Sequence, residues 1–287
     1  MAIVVNTNVQ SLKVQNNLNR VTDKMNTAME RMTTGLKINT AADDAAGLVI
    51  SKGIEVQTRG TQVAKDNAQN GINLLQTAEG NLAVLQDNLM RVRDLTLQAM
   101  NGGQTATEVK AIEEEVTARI EEVSRLAGGA KFNNFQLFSD SNDEVRLQIG
   151  TGADESQNTI TISDVFDSAT ISALTGGTSS AKFKLTTATG SIVSAGAFST
   201  ILTATDKAIT EISTRRGKIG AISNRLSSAM QSLDTQYENL SAAGSRITDS
   251  DVATESSNYT QYNILQQASA SLLVQANQAP SIALSLI

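Results

Sequence analysis

Histidine, cysteine and tryptophan are absent from these 287 residues, proline occurs once, and aromatic side chains make up only 3%. Each gap excludes something. Without imidazole or thiol there is no histidine acid/base chemistry, no cysteine nucleophile, no disulfide, and almost no route to zinc, haem or iron–sulfur ligation. Cysteine usage therefore carries no information on redox compartment. Aromatics supply much of the bulk of compact cores, so a thin core of Leu, Ile, Val and Ala between long helices fits better. Net charge is −6 and both signs are scattered, which leaves no basic patch for nucleic acid. No run approaches the roughly 18–20 apolar residues of a membrane span. The start, MAIVVNTNVQ, lacks the cationic and apolar regions of a secretory signal. By these signs alone the chain reads as cytoplasmic, unless it is exported without a cleaved signal.

What is present is a chain whose two ends match in kind while its middle differs. From about Val5 to Ala127, and again from about Asp206 to Ala279, apolar residues recur at helical spacing; the sole proline, Pro280, follows. Val14, Leu18, Val21, Met25, Ala28 and Met32 alternate by four and three, the seam of a coiled coil, until Gly35 interrupts. Ala68, Gly71, Leu75, Ala78, Leu82, Leu85, Leu89, Val92, Thr96 and Ala99 hold the same alternation. A helix from about Asp44 to Met100 would be on the order of 80 Å long. Asn101-Gly102-Gly103 ends it. Val109, Ile112, Val116, Ile120, Val123 and Ala127 predict a return helix closed by Gly128-Gly129. A last helical stretch from near Asp206 carries Ile212, Ile219, Ile222, Leu226, Ala229, Leu233, Tyr237, Leu240 and Ile247, then Tyr262, Leu265, Ala268, Leu272 and Ala276.

The middle reads as β. Val145, Leu147 and Ile149 alternate with polar residues, as do Ile160 with Ile162 and Phe183 with Leu185, predicting half-buried antiparallel strands. Residues 171–200 are rich in Ala, Gly, Ser and Thr, with Gly176-Gly177 and Gly190 as turn signals. The economical architecture is mainly α with a small β region: an elongated antiparallel helical rod or coiled coil built from both ends, with a short β insertion at its tip. The outermost stretches, residues 1–35 and 255–287, are rich in Asn, Gln, Ser and Thr. Such helices are marginal alone in water, and both ends are expected to be disordered in the monomer and to fold on docking with other copies.

Several segments together resemble bacterial flagellin. They are MAIVVNTNVQSL, GLKINTAADDAAGLVIS (Gly35 to Ser51), NGINLLQTAEGNL (Asn70 to Leu82), RVRDLTLQAMNG (Arg91 to Gly102) and Phe132-Asn133-Asn134-Phe135. On the C-terminal side they are GAISNRLSSAM (Gly220 to Met230), ENLSAAGSRITDSD (Glu238 to Asp251) and ILQQASASLLVQANQAP (Ile264 to Pro280). The resemblance covers both ends and leaves the middle, which is the family's variable part. It implies polymerisation into the flagellar filament, an extracellular location, and unfolded export through the flagellar type III apparatus without a cleaved signal. It also implies partners: copies of the chain itself, filament cap and hook-associated proteins, an export chaperone on the C-terminal helix, and the host Toll-like receptor that senses flagellins. No cofactor, nucleic acid or membrane insertion is implied.

On that resemblance the expected domains are residues 1–43 and 249–287 as the two halves of a terminal coiled-coil assembly domain. Residues 44–164 and 204–248 would form the rod, and 165–203 a small variable surface insertion. Val14, Leu18, Val21, Met25, Met32, Leu265, Ala268, Leu272 and Ala276 are the expected assembly seam. Leu75, Leu82, Leu85, Leu89, Val92, Val116, Ile120, Ile222, Leu226, Leu233 and Leu240 are the expected rod core. Arg91, Leu95 and Glu115 fall at the family's receptor and inter-subunit surface, although Met90 and Asp94 depart from the commonest residues beside them.

Rival readings are weaker. Asp43-Asp44 reads as acidic residues at a helix start rather than a metal or acid/base pair. The Ser/Thr-rich stretch from Thr175 to Thr189 reads as turns before it reads as a glycan carrier. Leu272, Leu273, Val274 and Ile282 to Ile287 read as an assembly helix before a membrane-active one. A hook–filament junction protein shares the terminal patterning, but the clean match from Asn70 to Gly102 argues against it. A metalloprotease on the helical scaffold needs a His-Glu-x-x-His helix, which a chain without histidine cannot supply. A binding module selected for host-surface attachment would bind tightly as a monomer and not polymerise.

Overall fold

A computed structural model describes residues 7–139, 144–175, 183–186, 192 and 195–284. Outside the described residues lie the helical onset at Val5, the turn signals at Gly176-Gly177 and Gly190, most of Thr175 to Thr189, residues 285–287, and the side chains of Pro280 and Ile282. The fold is mainly α with a small β region. In sequence order it runs α1 (Val9–Thr34), α2 (Ala45–Ala99), α3 (Ala106–Gly129), β1 (Lys131–Phe132), β2 (Phe135–Gln136), β3 (Glu144–Gln148), α4 (Glu155–Asn158), β4 (Thr159–Ser163), α5 (Ile171–Leu174), α6 (Ala195–Thr248) and α7 (Val252–Leu284).

Local chemistry explains most of the boundaries. The helix α1 stops at Gly35, whose φ of 73° is the left-handed conformation a helix C-cap favours. Asp44 starts α2 by accepting the Gly47 N–H at 2.9 Å. Thr105 and Glu108 form a capping box at the start of α3. Gly128 and Gly129 sit inside the last turn of α3 rather than beyond it, and the cap is Ala130 in an extended conformation. Asn133 and Asn134, with φ of 43° and 69°, make the two-residue turn joining β1 to β2.

The protein forms two compact units, residues 1–59 with 238–287 and residues 60–237. The divisions fall inside α2 and α6, whereas the terminal domain expected from sequence ended at residues 43 and 249.

The unit of residues 60–237 holds the main core. Helix α3 runs antiparallel to α2, with Arg91 paired to Glu115 and Asn88 accepting from Arg119. Helix α6 is antiparallel to α2 as well, through Arg93–Asp206, Gln86–Arg216 and Lys65–Asp234. Leu75, Leu82, Leu85, Leu89, Val92, Val116, Ile120, Ile222, Leu226 and Leu233 are buried between these helices. Leu240 is only half-buried and belongs to the other unit.

The β3–β4 hairpin pairs Val145 with Ile162 and Leu147 with Ile160 in antiparallel register, and Asn67 of α2 donates to the Gln148 carbonyl at 3.0 Å. Gly71 leaves room for the Leu147 side chain of the hairpin. A Cβ there would collide with a δ-methyl of Leu147 and meet Leu226 at 3.4 Å. Gly80, on the same helix, has nothing within 4 Å of the equivalent position. Gly80→Ala should therefore stabilise by about 0.5–1 kcal/mol through helix propensity. Gly71→Ala should cost about 1–3 kcal/mol through overpacking. Chemical denaturation of the two variants checks this, and equal effects would mean the hairpin does not depend on that gap.

The largest departure from expectation concerns residues 165–203. Val165, Phe166, Ala169, Ile171, Leu174, Phe183, Leu185, Phe198 and Ile201 are all buried in the main core, so this stretch is not a surface insertion where it is described. Three devices bind it in. Arg215 of α6, only 4% exposed, donates from Nη1 to the Asp167 carbonyl at 2.7 Å and the Ser168 carbonyl at 3.3 Å. Glu113 of α3 accepts the Leu185 N–H at 3.1 Å and the Thr186 N–H at 2.6 Å. Helix α6 begins at Ala195, ahead of the expected Asp206. Phe183 and Leu185 are not in a strand ladder; among the described residues the nearest pairing is an isolated bridge of Thr186 with Ile192.

Candidate assembly surfaces

In the unit of residues 1–59 and 238–287, much of the pairing between α1 and α7 is polar. Helices α1 and α7 run antiparallel. Asn8 caps α1 through its side-chain oxygen, which accepts the Ser11 N–H at 3.1 Å, and its amide donates to the Ala276 carbonyl at 2.8 Å. That carbonyl lies four residues before Pro280, which has no N–H to offer it. One asparagine thus satisfies an orphan from each end of the sequence. Along the pair, Ser11 donates to Asn277 at 2.7 Å, Gln266 to Thr22 at 3.1 Å, and Arg31 pairs with Glu255 at 3.5 Å. Lys24 lies 5.9 Å from the centroid of the Tyr262 ring.

Among the described residues of the two ends, Val9–Thr34 and Val252–Leu284 are helical and paired within one molecule, where disorder was expected. Side-chain hydrogen bonds and half-buried apolar residues supply what propensity lacks. Val14, Leu18, Val21, Met25 and Met32 are half-buried, and Ala28 is the one buried residue of α1.

On α7 the intramolecular seam differs from the expected one. Tyr262, Gln266, Ser269, Leu273 and Ala276 are partly covered, while Leu265, Ala268 and Leu272 face solvent. The helix is apolar on more than one face, so periodicity alone does not choose the face that meets α1. Exposure of Leu265 is 41%, of Leu272 55% and of Ile264 61%. A second apolar face lies on the first turns of α2, where Val49 and Val56, one heptad apart, are 73% and 71% exposed, with Ile50 beside them. The seam residues expected from sequence do not include this face, although its heptad spacing is a signal that could have found it.

A clasp ties the α1–α2 connection to the α6–α7 turn. Lys37 N–H donates to the Thr248 carbonyl at 2.6 Å, Ser250 N–H to the Gly35 carbonyl at 2.8 Å, and Leu36 bridges Asp249. Acidic caps hold the two turns. Asp43 lies below the usual carboxylate range because the Thr40 N–H, then its hydroxyl and the Asn39 N–H, donate to it. Asp251 is lowered by the Thr254 hydroxyl first, then the Ala253 and Thr254 N–H groups. A carboxyl whose folded pKa is depressed adds stability that is present above its unfolded pKa and lost as pH falls through the folded one. Acidification below the usual carboxylate range should therefore loosen these turns. Asp251→Asn keeps an acceptor that does not titrate, so its thermal melt should fall less steeply with acid than that of the parent protein. Equal slopes would remove Asp251 from the account.

In the other unit, Arg91 and Glu115 meet at the surface through a two-pronged pair, 3.0 Å and 3.3 Å. The Arg91 guanidinium holds Glu115 below its ordinary pKa, and Glu115 raises that of Arg91. Both are solvent-exposed, so the pair adds little stability. Leu95, expected beside them on the surface, is only 2% exposed and lies in the core. Helical periodicity points residue 95 at the seam with Val92, not outward with Arg91.

Among the described residues no group of three or more carboxylates is placed to hold a metal ion, and no helix is long and apolar enough to cross a membrane. Comparison with known proteins adds the family. The model of the bacterial flagellin N-terminal helical region matches residues 5–143, and that of the C-terminal helical region matches residues 202–287. The flagellin of Halalkalibacterium halodurans is 35% identical over 285 residues, spanning 99% of this chain and 100% of that protein. The flagellin of Bacillus subtilis is 36% identical over 303 residues, spanning 99% of each. Among solved structures, a putative flagellar hook-associated protein from Vibrio parahaemolyticus shares the fold, with a TM-score of 0.60 over 72% of this chain and 100% of that one at 15% identity.

Proposed function

The chain belongs to the bacterial flagellin family and is a structural subunit of the extracellular flagellar filament, not an enzyme; we propose that it assembles through the apolar faces its own fold leaves uncovered. The observation that carries this reading is the exposure of Leu265, Leu272, Ile264, Val49 and Val56 on the helices of one unit. Clusters of exposed apolar side chains mark interaction surfaces. The partner that supplies matching faces in unlimited number is another copy of the same protein. A heterologous contact repeated from copy to copy builds an open helical polymer.

The finer parts of the reading follow the same logic. In the α1–α7 pair only Ala28 of α1 is fully buried, which suits a segment that must pass through a narrow flagellar export channel unfolded and order afterwards. The exposed Leu265, Leu272 and Val274 of the C-terminal helix suit an export chaperone that would cover them before assembly. The Arg91–Glu115 pair is the surface proposed for the host Toll-like receptor, without Leu95. Hook-associated and cap proteins meet the filament's ends.

The full-length match to flagellins favours this reading over a hook–filament junction protein, which cellular abundance would separate. The direct test is regrowth: heat-dissociate purified protein, cool it with filament seeds, and follow elongation by electron microscopy. The full-length protein should elongate seeds, and a variant lacking residues 1–35 should not. Normal filaments from the truncated variant would overturn the proposal.

A further inference from the structure

The turn after α2 carries an exposed Asn-Gly pair. The sequence contains two Asn-Gly pairs, Asn70-Gly71 and Asn101-Gly102. Such a pair can cyclise: the glycine amide nitrogen, once deprotonated, attacks the carbonyl of the asparagine side chain. Ring closure needs an extended or turn backbone, a free glycine N–H and room around both residues. An α-helix denies the first two, and close packing denies the third.

The two pairs differ in each respect. Gly71 lies in the interior of α2, is buried, and abuts Leu147 and Leu226. Asn101, Gly102 and Gly103 are all exposed, beyond the end of α2 at Ala99. Two backbone hydrogen bonds close that turn, Asn101 N–H to the Gln98 carbonyl and Gln104 N–H to the Asn101 carbonyl, and neither uses the Gly102 N–H. A Cβ added at Gly102 or Gly103 would meet nothing within 4 Å. There is space for the ring.

We propose that Asn101 is a site of spontaneous deamidation, selected by the fold over Asn70. The Gly102 nitrogen forms a bond to Cγ of Asn101, the bond from Cγ to the Asn101 amide nitrogen breaks, and ammonia leaves a five-membered succinimide. Water then opens the ring at one of its two carbonyls. Opening at one gives aspartate; opening at the other gives isoaspartate, which carries the backbone through the former side chain. The net change consumes one water and releases one ammonia. Both products place a new carboxylate just past the C-terminus of α2, where the helix macrodipole already presents partial negative charge. Isoaspartate also lengthens the connection between α2 and α3 by one methylene. The proposal concerns the folded monomer and stands whether or not the protein polymerises.

The test incubates the full-length protein in warm, mildly alkaline buffer. Peptide mapping by mass spectrometry then follows both sites, with fragmentation that separates aspartate from isoaspartate. Asn101 should convert at least about tenfold faster than Asn70, because a helix interior must first open locally. In denaturant the two rates should converge. Gly102→Ala, which the open turn accommodates, should slow conversion at Asn101 while leaving the thermal melt in place. Native Asn101 as inert as Asn70, equal native rates at the two sites, or parental rates in Gly102→Ala would each overturn the proposal.

Discussion

Leu272→Glu should leave the monomer's thermal melt unchanged and stop filament regrowth. In the monomer this side chain is 55% exposed on α7, away from the face that meets α1, and surface substitutions of that kind usually fall within about 0.5 kcal/mol. If the same side chain is covered by a neighbouring copy, the polymer has to bury a carboxylate without a partner. That costs several kcal/mol, and every 1.4 kcal/mol is tenfold in an equilibrium constant. The critical concentration for seeded growth should therefore rise on the order of a hundredfold or more. Val56→Glu, at 71% exposure on α2, makes an independent version of the same test. Regrowth of either variant at the parental critical concentration would show that its face is not an assembly surface.

The second large effect is expected at a residue that sequence alone places on the outside. Phe166 is 1% exposed, belongs to the main core, and meets Phe135 edge-on at 6.2 Å between ring centroids. Phe166→Ala should cost about 3–5 kcal/mol, the usual range for a large aromatic removed from a core. Chemical denaturation followed on the unit of residues 60–237 would show it, and the filament phenotype should follow from instability alone. A loss under about 1 kcal/mol would return the segment around Phe166 to the periphery. The two substitutions separate the surfaces: one should act on assembly without touching stability, the other on stability first.

Much of the fold was legible because helices announce themselves locally. Gly35, Asp44 and Thr105 mark their boundaries by chemistry confined to a few residues, and the spacing from Leu75 to Ala99 named the buried face of α2 residue by residue. Where one side of a helix is apolar and the rest polar, periodicity decides burial. Leu95 follows the same rule: three residues beyond Val92 it turns to the core, although the family resemblance implied a surface position.

Sequence falls short where a segment has no periodicity or too much. Residues 165–175 are short, irregular and rich in small side chains, so nothing local distinguishes a surface loop from a strap across the core. Arg215 decides it, by donating to main-chain carbonyls 48 and 47 residues away in sequence. On α7, apolar residues lie on several faces, and local pattern cannot choose among them. The choice comes from α1, whose Asn8, Ser11 and Thr22 fix the register through partners at Ala276, Asn277 and Gln266.

The sequence by itself determined that this protein does no histidine or cysteine chemistry, that its ends are helical, and that its family is flagellin. The first two rest on composition and local pattern and the third on the resemblance of particular segments, none of which needs a partner. The tertiary structure alone decided which apolar faces are covered within one molecule and which stay exposed. That depends on contacts between residues more than two hundred positions apart, and no local pattern encodes them.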